Sequence, residues 1–573
     1  MIAGLHVADF TVLIVYLAAT SALGIWFGRG AKNIAEFFMP RKFGKTAMVM
    51  SAFGAGTASD QAVGVASATF TSGLSGIWYQ WLWLFVTPFY WIIAPVFRRL
   101  RAVTTADAYS LRYDNSVALL FSVVGIVSIG VKIGMILKGT GALMESSTGA
   151  QVNPEIAIFI TAVLFVTYGM LGGLAAAIIT DMIQGTLIVV FSFMLLPFVL
   201  GDVGGLEGVR ETITDPAKLS LVAPGKISVF FIIMMGLQAL VGIVAQPHIM
   251  GVCGAGKTEL EGRVGLMGGN FIKRFCTIAW CLTAIAALAW YIRHGVPLDS
   301  VVPDNVYGDM AQEFLPRATP GLLGLFLAAM IAGIMGSCDN YMLAAGALFT
   351  QNIYRPWRPG CTDSHYLWIG RASSLIVVAG AIAFAFWVEN VIRALEIWFQ
   401  IAPMMGIVFW IGLLWRRMTV AGAWAATFSG FGVWLLTELP FFVNWLATFP
   451  LARSWKLVWI EGAKIEVYLP WQILGYMTVA SLTGIVISLL TKPVPKEQLD
   501  RFYTLTRTPI VPGEVIEEPC TLPKGVTPAQ RPMLITAFGL EIPTLSRTSI
   551  IGFFVGWIMV ALLISGFVLL IKW

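Results

Sequence analysis

Apolar stretches of about twenty residues recur along nearly the whole chain, separated by short polar connections. At about 1.5 Å per residue, a helix of that length crosses the roughly 30 Å hydrocarbon core of a bilayer. Fourteen such stretches are expected, near 8–28, 46–72, 76–97, 115–142, 155–172, 177–200, 227–249, 268–292, 319–350, 368–388, 393–415, 418–438, 471–491 and 549–571. Two of them carry closely spaced glycines. The second contains Gly54-Ala55-Gly56, and the seventh contains Gly236 and Gly242 ahead of Gln246-Pro247. Such breaks, five stretches apart, point to an inverted-repeat transporter with a site near the bilayer midplane. Close packing of helices at small residues is the plain alternative.

Composition agrees with the pattern. The chain of 573 residues is 58% hydrophobic and only 12% charged, against roughly 25% charge in a soluble domain. The expected class is an all-α polytopic membrane protein. The first run lacks a basic leader and a clear cleavage site, so it is read as a retained span. Lys and Arg fall unequally, 25 on one set of connections and 10 on the other. The positive-inside rule then puts the N-terminus and the C-terminus outside a plasma (inner) membrane. The net charge of +6 thus reflects orientation in a lipid bilayer rather than nucleic-acid binding. The long polar segment 491–547 is expected to be an irregular cytoplasmic loop. Trp and Tyr gather near the expected span ends, as in an aromatic belt. The six cysteines show no CxxC spacing, and four histidines are too scattered for a metal cage.

Acids inside these runs carry the chemistry. Asp181 stands in Gly169-Met170-Leu171-Gly172-Gly173-Leu174…Thr180-Asp181-Met182-Ile183-Gln184, read as a glycine-rich turn feeding the sixth span. Asp60 follows the Gly54–Gly56 break, and Asp339 lies within the ninth span. Charges at such depth are costly and mark ion or substrate paths, with oxygen ligands suited to a hard cation. Hydrogen bonding between helices by partly protonated acids is the alternative. Lys132, deep in the fourth span, is expected to pair with an acid or a carbonyl. Lys138 is expected to snorkel outward.

The stretch from Tyr168 to Leu174 with Thr180–Gln184 resembles the signature of the solute:sodium symporter family, which includes sodium/glucose and sodium/proline cotransporters. Glu36-Phe37-Phe38 to Arg41, Thr104-Thr105 with Leu111-Arg112-Tyr113, Ala332 to Tyr354 and Gly412 to Ala423 resemble further family segments. The likeness spans roughly residues 8 to 490. It implies a five-plus-five inverted-repeat core of spans 2–6 (46–200) and 7–11 (201–417). A leading span and first cytoplasmic loop (1–45) precede that core, and trailing spans 12–14 (418–573) follow it.

It also implies a principal sodium site. Backbone carbonyls would come from Gly54 and Thr57, with Gly333 and a hydroxyl pair on the ninth span. That pair falls on Gly336 and Ser337, so one hydroxyl is missing. Asp60 would compensate with a full charge, or the cation would be displaced toward Asp181; Asp339 is a further expected sodium-binding residue. The substrate pocket would lie just past the break, at Gln61 and Gln80-Trp81, with Glu396 and Gln400 as further contributors. Amide and indole donors suit a neutral polar solute, sugar-like or otherwise. No arginine is expected at the core to clamp a carboxylate. Interhelical hydrogen bonding is the alternative role for Gln61, Gln80 and Glu396.

The function implied is secondary active import of a small polar organic solute with sodium as co-substrate. It is not an enzyme, and no cofactor is expected. A proton-coupled symporter of the same fold, a passive facilitator and a transporter-like sensor stay open. Gly251-Val252-Cys253-Gly254-Ala255-Gly256-Lys257-Thr258 matches a phosphate-loop pattern letter for letter. It lacks the strand and the α/β surroundings that pattern needs, so no nucleotide is expected there.

Overall fold

The computed structural model describes residues 4–28, 41–223, 225–461, 464–511, 513–514, 516 and 518–572. Glu36–Phe38, in the expected first cytoplasmic loop, lies outside them. The principal helices are α1 Val7–Gly28, α2 Lys45–Gly54, α3 Ser59–Ser72, α4 Thr87–Arg99, α5 Thr105–Arg112, α6 Asn115–Ser147 and α7 Pro154–Met194. After them come α8 Val229–Gly242, α9 Pro247–Gly254, α10 Glu259–Arg293, α11 Leu322–Ala347, α12 Asp363–Trp387, α13 Val391–Leu414, α14 Val420–Glu438, α15 Leu469–Leu490, α16 Lys496–Arg507 and α17 Arg547–Lys572. Helices predominate because apolar side chains face lipid or one another while every backbone bond closes within its own segment. Starts are fixed by side-chain caps. Asp114, Asn390 and Thr419 accept the N–H groups of Val117, Arg393 and Gly422.

Ten helical stretches are long and apolar enough to cross a membrane among the described residues, or eleven with one bent pair. The expected spans at 8–28 and 155–172 contribute shorter apolar helices, Val7–Thr20 and Pro154–Thr167. Those at 46–72 and 76–97 share the stretch Ser59–Arg99. Against the fourteen expected spans, the described residues thus hold ten or eleven membrane-length apolar helices.

The first break falls where the glycines put it. Helix α2 stops at Gly54, Ala58 is extended, and α3 starts at Ser59. The second is displaced from the glycines. Gly236 and Gly242 stay helical, and the chain bends by 63° at Gln246-Pro247. Proline lacks the N–H and suits a first helical position, so the helix restarts there. Gly242 faces Ala402 and Pro403, where a Cβ would make ordinary van der Waals contact at 3.4 Å. A third expectation is corrected outright. The backbone stays helical through Gly172-Gly173, within α7. Helix α7 thus runs across the join between the two expected apolar segments 155–172 and 177–200, as far as Met194. The side chains of 168 and 171–176, within the family-like signature, lie outside the described residues.

Helix α10 lies against α2 through a glycine face. A Cβ on Gly269 would sit 2.7 Å from the Phe53 amide nitrogen, and one on Gly265 2.7 Å from Met48 Cβ. Helices α14 and α15 meet at Gly422, Ala426 and Gly430, spaced by four, facing Ala480, Gly484 and Ser488.

The segment 491–547 is more ordered than an irregular loop. It contains α16 and a short antiparallel pairing of Met533–Ile535 with Ile542–Pro543. On the opposite face, strands β1 Val458–Glu461 and β2 Lys464–Val467 form a hairpin beside a cavity of about 460 Å³.

Candidate functional site

The end of α2 places Gly54 against α7 and α11. The Gly54 carbonyl accepts from the Ser337 hydroxyl at 2.9 Å and from the Thr57 N–H at 3.1 Å. A Cβ on Gly54 would lie 3.1 Å from Asp181 Cβ, and one on Gly333 3.3 Å from the Thr57 carbonyl. Asp181 Oδ2 accepts from Ser51 Oγ at 3.2 Å and from Asn340 Nδ2 at 3.1 Å. Gly54, Thr57, Gly333, Ser337 and Asp181 thus converge at the break.

The absent hydroxyl at 336 has a steric explanation. A Cβ on Gly336 would run into Asp181 Oδ1 and stand 2.8 Å from Gln184 Oε1. Those two oxygens occupy the space where a serine side chain would go. Both are buried with no hydrogen-bond partner among the described residues, as are Thr57 Oγ1, Asn340 Oδ1 and both carboxylate oxygens of Asp339. Buried oxygens left without donors are costly, and a bound cation would relieve that cost. Asp339 lies one turn away, facing the α7 backbone at Gly169. From sequence, Gln184 stood only within the motif around Asp181, and neither it nor Asn340 was expected as a ligand. Their signal was spacing, since 181 with 184 and 336 with 340 share a helix face.

Asp60 does not join this group. Its Oδ2 is 3.0 Å from Lys132 Nζ and accepts from Gln61 Nε2 at 2.6 Å. The pair is buried, and the Lys132 ammonium lies 4.6 Å above the Trp398 ring. Lys132 therefore has an acid partner, and Asp60 already has its cation.

Just past the break is a cavity of about 50 Å³, whose walls include Gln61, Gln80, Trp83, Lys132, His248 and Trp398. Lys273 and Arg274 line it too. From sequence both belong to a cytoplasmic connection. In the structure they sit fourteen and fifteen residues into α10 and are buried. An arginine does stand at the core, against the sequence expectation. Helix α10 begins well before its apolar run, so residues at the edge of that run are interior to the helix.

The other predicted pocket residues divide. Gln80 lines the cavity, its side-chain oxygen held by Arg274 Nη1 at 2.9 Å. Trp81 faces away, its ring 5.2 Å from Phe567 and its N–H on the Arg274 carbonyl. Residues 73–77 and 82–84 are 3₁₀ turns. Their tighter pitch shifts the helical face, so Trp83 points inward instead. Glu396 borders the larger cavity beside the hairpin and accepts from Tyr79 at 3.0 Å. Gln400 lies outside both cavities, bonded to Gln472 at 2.7 Å and to Trp434.

The phosphate-loop-like segment folds as helix, turn and helix. The Thr258 hydroxyl caps α10 in a reciprocal box with Glu261, and the Lys257 N–H donates to the Phe43 carbonyl at 3.0 Å.

Comparison with known proteins bears on this arrangement. The model of the Sodium:solute symporter family matches residues 37–430. The osmoregulated proline transporter OpuE of Bacillus subtilis (strain 168) is 25% identical over 86% of this chain and 97% of its own length. Sodium/glucose cotransporter 1 of Oryctolagus cuniculus is 22% identical over 87% of this chain and 81% of its own. A substrate-bound, outward-open structure of a Na⁺-coupled sialic acid symporter superposes with a TM-score of 0.68 at 16% identity. It covers 86% of this chain and 99% of that one. The likeness is one of fold, an all-α membrane transporter with a five-plus-five inverted-repeat core.

Proposed function

Since this chain belongs to the sodium:solute symporter family, whose members are sodium-coupled transporters rather than enzymes, we propose that it imports a small polar organic solute with sodium by alternating access. The proposed sodium ligands are the Gly54, Thr57 and Gly333 carbonyls, the Ser337 hydroxyl and Asp181, with Gln184 standing in for the hydroxyl missing at 336. Asp339 is a reserve carboxylate near the same site. The observation that carries the reading is a set of buried oxygens at a helix break, Asp181 Oδ1 and Gln184 Oε1 foremost, with no donor among the described residues. Each sodium entering across about 100 mV supplies roughly 2.3 kcal/mol before any concentration term. Sodium would hold α2 against α7 and α11, and the solute pocket past the break would form as a consequence.

The proposed orientation puts 491–547 in the cytoplasm and the β1–β2 hairpin outside. Lys273 and Arg274 leave the cytoplasmic tally, but the bias keeps its sign. Repeats at 46–200 and 201–417 are part of the same proposal, each with one break, at Gly54–Ala58 and at Gln246-Pro247.

The test needs no known substrate. Purified protein should unfold at a higher temperature in sodium than in potassium, and it should bind sodium-22. Asp181→Ala should lose both effects. Sodium binding by that variant at wild-type affinity would remove Asp181 from the ion path.

A further inference from the structure

The cavity past the break carries an unbalanced charge. Lys132, Lys273 and Arg274 line it, and Asp60, beside Gln61, is within ion-pair distance of Lys132. Among the described residues, neither Lys273 nor Arg274 has a carboxylate within ion-pair distance. Lys273 Nζ donates to the Gly56 carbonyl at the break. Arg274 Nη1 donates to the Gln80 carbonyl at 2.7 Å and to its side-chain oxygen at 2.9 Å, and Nη2 reaches Asn270 at 3.4 Å. Arg274 Nε is buried with no hydrogen-bond partner among the described residues. Residues 273 and 274 are adjacent and both aim at one small space, a poor design for packing alone. Two charges held by neutral acceptors in a low-dielectric interior are expensive, and the expense falls when an anion arrives. A guanidinium with a free N–H beside an ammonium fits a carboxylate.

We propose that the transported solute is an organic acid in its carboxylate form, its anionic group received between Lys273 and Arg274. This rests on the symport reading above and replaces the neutral solute favoured from sequence. The amides of Gln61, Gln80 and Asn270 are then left for hydroxyl or amide groups on the body of the solute. Trp83 and Trp398 supply flat apolar walls. The Asp60–Lys132 pair lies beside the break, where it repels an anion from one side and attracts it from the other, setting its orientation. The cavity holds about 50 Å³ here, so the solute enters only as the walls part.

The test uses the full-length protein in detergent and in proteoliposomes. L-lactate, D-gluconate, N-acetylneuraminate and succinate, as sodium salts in sodium buffer and potassium salts in potassium buffer, are compared with D-glucose, myo-inositol and L-proline by thermal shift. At least one carboxylate should stabilise the wild type, and the neutral and zwitterionic probes should not. Arg274→Gln and Lys273→Gln should weaken that response by roughly tenfold or more, and Arg274→Lys should restore part of it. The sodium-only shift, measured without solute, checks that each variant is folded. A variant without it is replaced by Asn270→Ala, which loosens Arg274 and should weaken the same carboxylate response. The proposal is overturned if no carboxylate acts on the wild type. It is equally overturned if glucose, inositol or proline acts with an affinity that Lys273→Gln and Arg274→Gln leave unchanged. A carboxylate response equal in sodium and potassium sinks sodium coupling but leaves the anion site standing, so the two failures are distinguishable.

Discussion

Asp60 and Lys132 stand 3.0 Å apart with almost no exposure on either side chain. Removing one partner of such a pair leaves a bare buried charge and costs about 3–5 kcal/mol, whereas replacing both with neutral groups is often tolerated. Asp60→Asn should therefore lower the unfolding temperature sharply, and Asp60→Asn with Lys132→Met should recover most of the loss. Equal destabilisation by the single and double variants would mean the pair does not interact as drawn. This scale also shows what a sequence can disclose. Asp181 stands out because a lone acid in an apolar run must have a reason. Gly54 became visible through its closely spaced glycines, and Ser337 through the family-like segment around it. Lys273 and Arg274 gave no such signal, because Phe271-Ile272-Lys273-Arg274-Phe275 reads as a span end. Only the helical start at Glu259 moves them inside.

Helices α2 and α10 touch along Gly265 and Gly269, where backbone lies against backbone. A side chain at Gly269 would have to displace the Phe53 amide and the Val49 carbonyl, both 2.7 Å from its Cβ. Gly269→Val should destabilise by about 1–3 kcal/mol or more, read as a fall in unfolding temperature. Gly251→Ala, with nothing within 4 Å, should be neutral or gain up to about 1 kcal/mol of helix propensity. At this scale the pattern of apolar runs made most spans legible, but not their interruptions. Glycine is compatible with a break, a close contact or an uninterrupted helix. Gly54–Gly56 became the first, Gly269 the second and Gly172-Gly173 the third. The choice depends on what the neighbouring helix presents, and that is absent from local sequence.

Across the whole molecule, the segment 491–547 straps the face it covers. Arg101 pairs with Glu514 at 2.8 Å, both side chains buried. Gln498 donates to the Ser110, Leu111 and Tyr113 carbonyls, and Tyr503 to the Gly412 carbonyl at 2.8 Å. The strap thus joins the loop after α4, helix α5 and the end of α13. Arg101→Ala should free it, with protease cleavage between 512 and 531 becoming roughly tenfold faster, which needs a local loss of only about 1.4 kcal/mol. An unchanged cleavage rate would show that the other contacts suffice. Prolines and scattered charge made this segment read as irregular. Its order draws on partners up to 413 residues away in sequence, which no local pattern encodes. The class of molecule, by contrast, was plain from hydropathy, since length and apolarity alone dictate membrane crossing.

The ammonium poised over the Trp398 indole gives this protein an optical reporter without any label. Indole emission responds to a nearby charge, so the difference spectrum between the wild type and Trp398→Phe, which cancels the other twenty tryptophans, reports on the Lys132 ammonium beside Asp60.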